Sequence, residues 1–177
     1  TSNVKDMYAM FQNWKLLTEL NVSNWDTSKA TDMHSMFGSC SNLTELDVSN
    51  FDTSNVKDMG SMFSYCSKLT SLDVSNFNTS NVTIMNYMFQ NCTSLTSLDL
   101  SNFDMSKVTS TTHMFSSCNK LHTLRLDNCS NATISKMIKS SGFPTVTISG
   151  VTRKIYCKEA NAAGLTAPTN WVFEFID

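Results

Sequence analysis

Between Leu43 and Lys68 the apolar side chains fall at Leu43, Leu46, Val48, Phe51, Val56, Met59, Met62, Phe63 and Cys66. The opening Leu-x-x-Leu-x-Val sets Leu46 and Val48 two apart, with Asp47 and Ser49 on the other face, which is the strand period. From Val56 the spacing becomes three to four, as on one side of a short helix. Asn55 with Asp58, and Asn3 with Asp6, are placed to cap such helices. The whole pattern then repeats. Met10-Phe11, Met36-Phe37, Met62-Phe63, Met88-Phe89 and Met114-Phe115 succeed one another at a fixed step (36 − 10 = 26). A fixed period of this length marks units that cannot bury their apolar faces alone and stack to do so. The predicted fold is an α/β repeat: a right-handed solenoid of about five coils, with a parallel β-sheet on one face and short helices on the other.

Residues 1–16 read as a helical half-unit with Val4, Met7, Met10, Phe11 and Trp14 facing inward. Complete units follow at 17–42, 43–68, 69–94 and 95–120. A fifth starts with Leu121, Leu124 and Leu126, keeps Ile134 and Met137, and stops matching at Ser140-Ser141-Gly142, where Gly142 and Pro144 break the helix. The tail differs in kind. Val146–Ile148 and Lys154–Tyr156 alternate like strands around a Ser149-Gly150 turn. Glu159 to Leu165 reads as one or two helical turns ended by Pro168-Thr169-Asn170, and Trp171–Ile176 is the most β-prone run. The expected organisation is therefore a repeat domain at 1–137 and a small α/β capping segment at 138–177, because the end of a stack exposes core and strand edge. Thr1 to Met7 matches Thr53 to Met59 residue for residue. The chain thus begins mid-repeat, which points to a fragment of a longer protein with any export signal upstream. Val4, Met7 and Phe11 are expected to face solvent unless further coils or a partner chain cover them.

Two polar columns sharpen this reading. Asn24, Asn50, Asn76, Asn102 and Asn128 share one position, predicted inward and bonded to loop backbone of their own and adjacent coils. Cys40, Cys66, Cys92 and Cys118 share another. Parallel stacking points their Cβ atoms the same way, so buried free thiols are favoured over disulfides. Cys129 stands where Phe51, Phe77 and Phe103 stand in earlier units and is also assigned to the core.

The units LTELDVSNFDTSNVKDMGSMFSYCSK and LTSLDVSNFNTSNVTIMNYMFQNCTS resemble those of the BspA-like leucine-rich repeat family of bacterial surface proteins, which read like LTSLDLSNFDTSNVTDMSSMFYGCSS. The resemblance runs through residues 1 to about 137. The tail IYCKEANAAGLTAPTNWVFEFID is similar to the segment that closes such arrays. This likeness implies a leucine-rich-repeat solenoid displayed outside a cell and used for adhesion or protein binding; it identifies no ligand.

Composition narrows the chemistry. Over 177 residues the net charge is −2 and the pI about 5.8, which gives no electrostatic footprint for nucleic acid or an anionic membrane. No apolar run is long enough to cross a bilayer. Zinc is disfavoured, since no Cys-x-x-Cys occurs and His34, His113 and His122 lack ligand spacing. There is no Gly-rich phosphate loop, no Ser-His-Asp arrangement and no cleft to shift paired carboxylates, so no enzyme and no cofactor is expected. Asn21, Asn42, Asn81, Asn91, Asn128 and Asn131 satisfy Asn-x-Ser/Thr, a chance outcome in so Asn/Ser/Thr-rich a sequence.

The candidate binding residues form the outward columns of the predicted sheet: Glu19, Asn21, Glu45, Asp47, Ser49, Asp73, Ser75, Asp99, Ser101 and Arg125. Two readings stand. The face is a docking surface for a hydroxyl-rich or basic ligand, or it is a solvated sheet face repeated by duplication; its lack of aromatics favours the second. The convex side, with Tyr8, His34, Gly60, Asn86 and Thr112 in one column, varies more between units, through recognition or drift. The function expected is a non-catalytic, cell-surface or extracellular module that binds a protein or glycan, without nucleic acid or membrane insertion. The rival is a structural element, a stalk or a virion appendage, packed against neighbouring chains by its coil ends and flanks.

Overall fold

Each Met-Phe pair lies where the backbone of one unit is bonded to the next. In the computed structural model, which describes residues 1–176, the Met7 N–H donates to Asp32 O at 2.9 Å. Ala9 donates to His34 O, Phe11 to Met36 O and Asn13 to Gly38 O, each at 2.8 Å. The same four steps recur from Met33, Met59 and Met85. Parallel bridges run in file through Asp6, Asp32, Asp58, Ile84 and Ser110. Successive units therefore lie parallel and in register, one period apart.

This ladder replaces the short helices expected on that face. Residues 60–65 form consecutive turns, and Ser61 (φ 55°) and Tyr65 (φ 61°) are left-handed, as are Ser35 and Ser39, Tyr87 and Asn91, and His113 and Ser117. A helix returns each amide to the carbonyl four residues back. Here the left-handed residues turn alternate amides outward, so they are spent on the neighbouring unit. The proposed helix caps serve other ends: Asp58 Oδ1 accepts from the Gly60 N–H at 2.7 Å, Asp6 Oδ1 from Tyr8 at 2.8 Å, and the Asn55 amide donates to Ser28 O. In the fifth unit a true helix does form, α1 (Asn131–Ser140), capped by Ser130, whose Oγ accepts from Thr133 N–H. Ser140 O and Ser141 O then accept from His113 and Phe115 and end the ladder.

The predicted sheet is also only partly formed. Strands occur at β1 (Ser97–Asp99), β2 (Thr123–Arg125), β3 (Arg153–Cys157) and β4 (Trp171–Phe175), all parallel in the order β1-β2-β3-β4. Leu98 pairs with Leu124, Leu124 with Ile155, and Ile155 with Phe173. Among the described residues, no backbone bond joins 17–22, 43–48 and 69–74 to one another, although burial still alternates there. Register in these units is already set by the turn-side ladder, so nothing compels the short Leu-x-x-Leu stretches to pair. The ladder closes beside the five-residue pair β3–β4. The strand expected at Val146–Ile148 is absent; Val146 is exposed and its carbonyl accepts from Arg153. Glu159–Ala162 forms the short helix α2.

The core is a set of files along the stack. Phe11, Phe37, Phe63, Phe89 and Phe115 stack near-parallel with centroids 5.7, 5.7, 5.8 and 6.1 Å apart. Phe143 then meets Phe115, and Trp171 meets Phe143, edge-on. All six cysteines are buried free thiols; Cys40, Cys66, Cys92 and Cys118 each point Sγ at the carbonyl of a Phe in the preceding unit. A threonine file was not read from the sequence: Thr27, Thr53 and Thr79 are 1% exposed and each hydroxyl both donates to and accepts from the backbone of the next unit. Their signal was the Asp-Thr-Ser and Asn-Thr-Ser triplets, which read as turn residues. The asparagine file behaves in part as expected. Asn50, Asn76 and Asn102 donate to carbonyls of the preceding unit, yet Asn76 and Asn102 are exposed, because the amide reaches back over the rim. At the N-terminal end Met7 is fully buried and Phe11 nearly so, contrary to expectation, because Trp14 and Trp25 close over Phe11 at 5.4 and 5.6 Å.

Candidate binding face

The unpaired stretches of the first three complete units open a groove of about 940 Å³. Its floor is Leu20, Val22, Leu46, Val48 and Leu72, and its acidic wall is Glu19, Glu45, Asp47 and Asp73, with Asn21 among them. The loss of pairing is legible in burial: Leu46 and Leu72 are each 8% exposed, whereas Leu124 in the closed ladder is at 0%. Sequence reasoning placed the acidic columns here but missed the apolar floor, because inward leucines read as plain core.

Five of the ten candidate residues, Glu19, Asn21, Glu45, Asp47 and Asp73, thus line one groove. Each Asx member also caps a turn. Asp47 Oδ1 accepts from Ser49 N–H, Asp73 Oδ1 from Ser75, and Asn21 Oδ1 from Ser23, all at 2.9 Å. The Ser49 hydroxyl, and after it the Ser49 amide, hold the Asp47 carboxyl below its ordinary value; Ser75 does the same for Asp73. Both carboxyls are therefore anionic at neutral pH. Ser49 and Ser75 are spent on these turns and lie outside the groove.

The other three belong to a separate cluster over the closed ladder. Arg125 Nε lies 3.9 Å from Asp99 Oδ2, its guanidinium bonds Asp127, and its Cζ sits 5.4 Å from the Tyr156 ring centre. Ser101 N–H donates to Asp99 and Ser101 Oγ accepts from Asp127 N–H. Ser101 thus links Asp99 to Asp127, while Arg125 bonds Asp127 and lies within ion-pair reach of Asp99.

The convex columns also pair internally. Tyr8 stacks on His34 at 5.4 Å, His34 Nδ1 lies 3.2 Å from Asp58 Oδ1, and Tyr87 stacks on His113 at 5.7 Å. Among the described residues no three His, Cys, Asp or Glu side chains are grouped to hold a metal ion. No helix there is long and apolar enough to cross a membrane.

Residues 1–72 and, overlapping them, 44–143 match the family described as "Mycoplasma protein of unknown function, DUF285". No curated protein and no solved structure matches the chain.

Proposed function

The chain belongs to the DUF285 family of Mycoplasma proteins of unknown function, and from that premise we propose that it is a non-catalytic binding module. It works as a BspA-like leucine-rich-repeat solenoid over residues 1–137, with 138–177 as its capping segment, displayed at a cell surface or outside the cell. It attaches to a protein or glycan. One observation supports this above the rest: the outward face carries an open groove lined by Leu20, Leu46 and Leu72 as well as by carboxylates, rather than a uniformly polar sheet. Among the described residues, the backbone amides and carbonyls of residues 44–47 have no backbone partner, so a ligand that hydrogen-bonds them displaces only water.

The rival, a structural element packed by its ends, draws on a different feature. Leu16 is 90% exposed and Trp14 53% exposed, side by side at the N-terminal end. Attachment separates the two. Fluorescently labelled protein is applied to mammalian cell layers and to immobilised glycans, beside an Asp47→Lys/Asp73→Lys variant whose circular dichroism and Tm are checked first. A binding module loses most attachment when the groove is reversed in charge. Undiminished attachment, or none by either form, leaves the structural rival standing.

A further inference from the structure

The groove is unlike the rest of the outward face in two independent ways. It is the part of the face where the ladder is missing, so among the described residues the amides and carbonyls of residues 44–47 are unbonded to either neighbouring unit. It is also one-signed: Glu19, Glu45, Asp47 and Asp73 line it and no Lys or Arg does. Further along the stack both features vanish together. There β1 and β2 pair, and the cation of Arg125 stands among Asp99 and Asp127.

We propose that this groove binds an extended, cationic polypeptide segment, with alternate residues lysine or arginine. This rests on the binding-module reading and specifies its ligand. Alternate side chains of an extended chain share one face. A segment lying across the three units therefore sets a row of cations against the carboxylates of Glu45, Asp47 and Asp73. Its intervening side chains meet Leu20, Leu46 and Leu72, and its backbone meets the unbonded amides and carbonyls of the floor. The complementarity is in sign as well as shape, so encounter is fast and falls with salt. A neutral glycan would use the backbone groups but leave the carboxylate row unmatched.

The sequence supplies well-behaved variants. Asn21 already occupies the column of Asp47 and Asp73 and makes the same turn, and Asn78 occupies that of Asp26 and Asp104. Asp→Asn at these positions therefore preserves the local backbone. Three forms are compared: the parent chain, a groove variant (Glu45→Gln/Asp47→Asn/Asp73→Asn) and a charge-matched control (Asp26→Asn/Asp104→Asn/Glu159→Gln). The probe is a fluorescein-labelled nine-residue peptide alternating Lys and Thr, followed by anisotropy at low and high salt. A Glu/Thr peptide and maltoheptaose serve as comparators. The Lys/Thr peptide is expected to bind the parent and the control alike, to lose at least tenfold on the groove variant, and to weaken with salt; the Glu/Thr peptide is expected not to bind. Equal loss in groove variant and control, equal binding of the two peptides, or absence of Lys/Thr binding overturns the proposal. Binding of maltoheptaose in place of the peptide also overturns it, yet leaves the binding-module reading intact. Failure of both the probe and the attachment experiment above sinks the two together.

Discussion

At the scale of single residues, the chain is unusual in spending left-handed conformations on ordinary side chains. Ser61 at φ 55° and Tyr65 at φ 61° each carry a Cβ cost of about 1–2 kcal/mol, offset because their amides reach Asn86 O and Gln90 O at 2.8 and 2.7 Å. Ser61→Gly is expected to raise unfolding free energy by about 0.5–1 kcal/mol, and Ser61→Val to lower it by about 1–2 kcal/mol. Urea titration of both variants checks this; equal effects would mean that the turn is not strained. The thiols make a second prediction. Burial pushes Cys66, Cys118 and Cys129 up to about 12 and Cys40 to about 11. A thiol whose folded pKa is raised binds its proton more tightly in the folded state. Stability is therefore full below the unfolded value of about 8.5 and declines as pH rises from there toward the folded values. The native protein should resist iodoacetamide at pH 8 and take up label at all six cysteines once unfolded. Rapid native labelling would show that the stack breathes.

At the scale of elements, the files matter more than any one unit. Phe63 is fully buried and stacked on Phe37 and Phe89 at 5.7 and 5.8 Å. Phe63→Ala should cost about 3–5 kcal/mol, whereas Phe63→Leu, which keeps most of the volume, should cost about 1.5 kcal/mol. Chemical denaturation of the pair distinguishes a packed file from a loosely filled slot. The C-terminal strands depend on a different device, Arg153, 2% exposed. Its guanidinium donates to the carbonyls of Leu121, Asn119 and Val146, and its Cζ lies 5.6 Å from the Trp171 ring centre. That one side chain ties β3 to the loop before β2, where the inter-unit turn ladder has ended.

For the molecule as a whole, register is set by one ladder that repeats without change through four steps. Deleting residues 43–68 brings Met36-Phe37 into register with Met88-Phe89, so the shortened chain should fold cooperatively. Its denaturant m-value should fall by about 15%, in line with the surface removed (26 of 177 residues). Deleting 43–55 shifts the pattern by half a period and should abolish the cooperative transition. A folded half-unit deletion would refute the register argument. The same deletion of 43–68 removes the middle of the groove, so it should cost the Lys/Thr peptide its binding while leaving the fold.

Much of this was legible in the chain itself. The step between Met-Phe pairs, the inward files of Leu, Phe, Met and Cys, the free thiols and the acidic outward columns all follow from side-chain spacing, which a repeated unit states five times over. Hydrogen-bond partners were not legible, for a physical reason. Val56, Met59, Met62 and Cys66 have the same spacing whether their amides turn back to residue i−4 or across to the next unit. That choice is made only when a neighbour's carbonyls are within reach. The stack chose the neighbour, so helices gave way to left-handed turns, and the opposite face was left unpaired between residues 17 and 74. The groove exists because of that second consequence: residue types put carboxylates along the face, and packing between units determined that the backbone beneath them would be open.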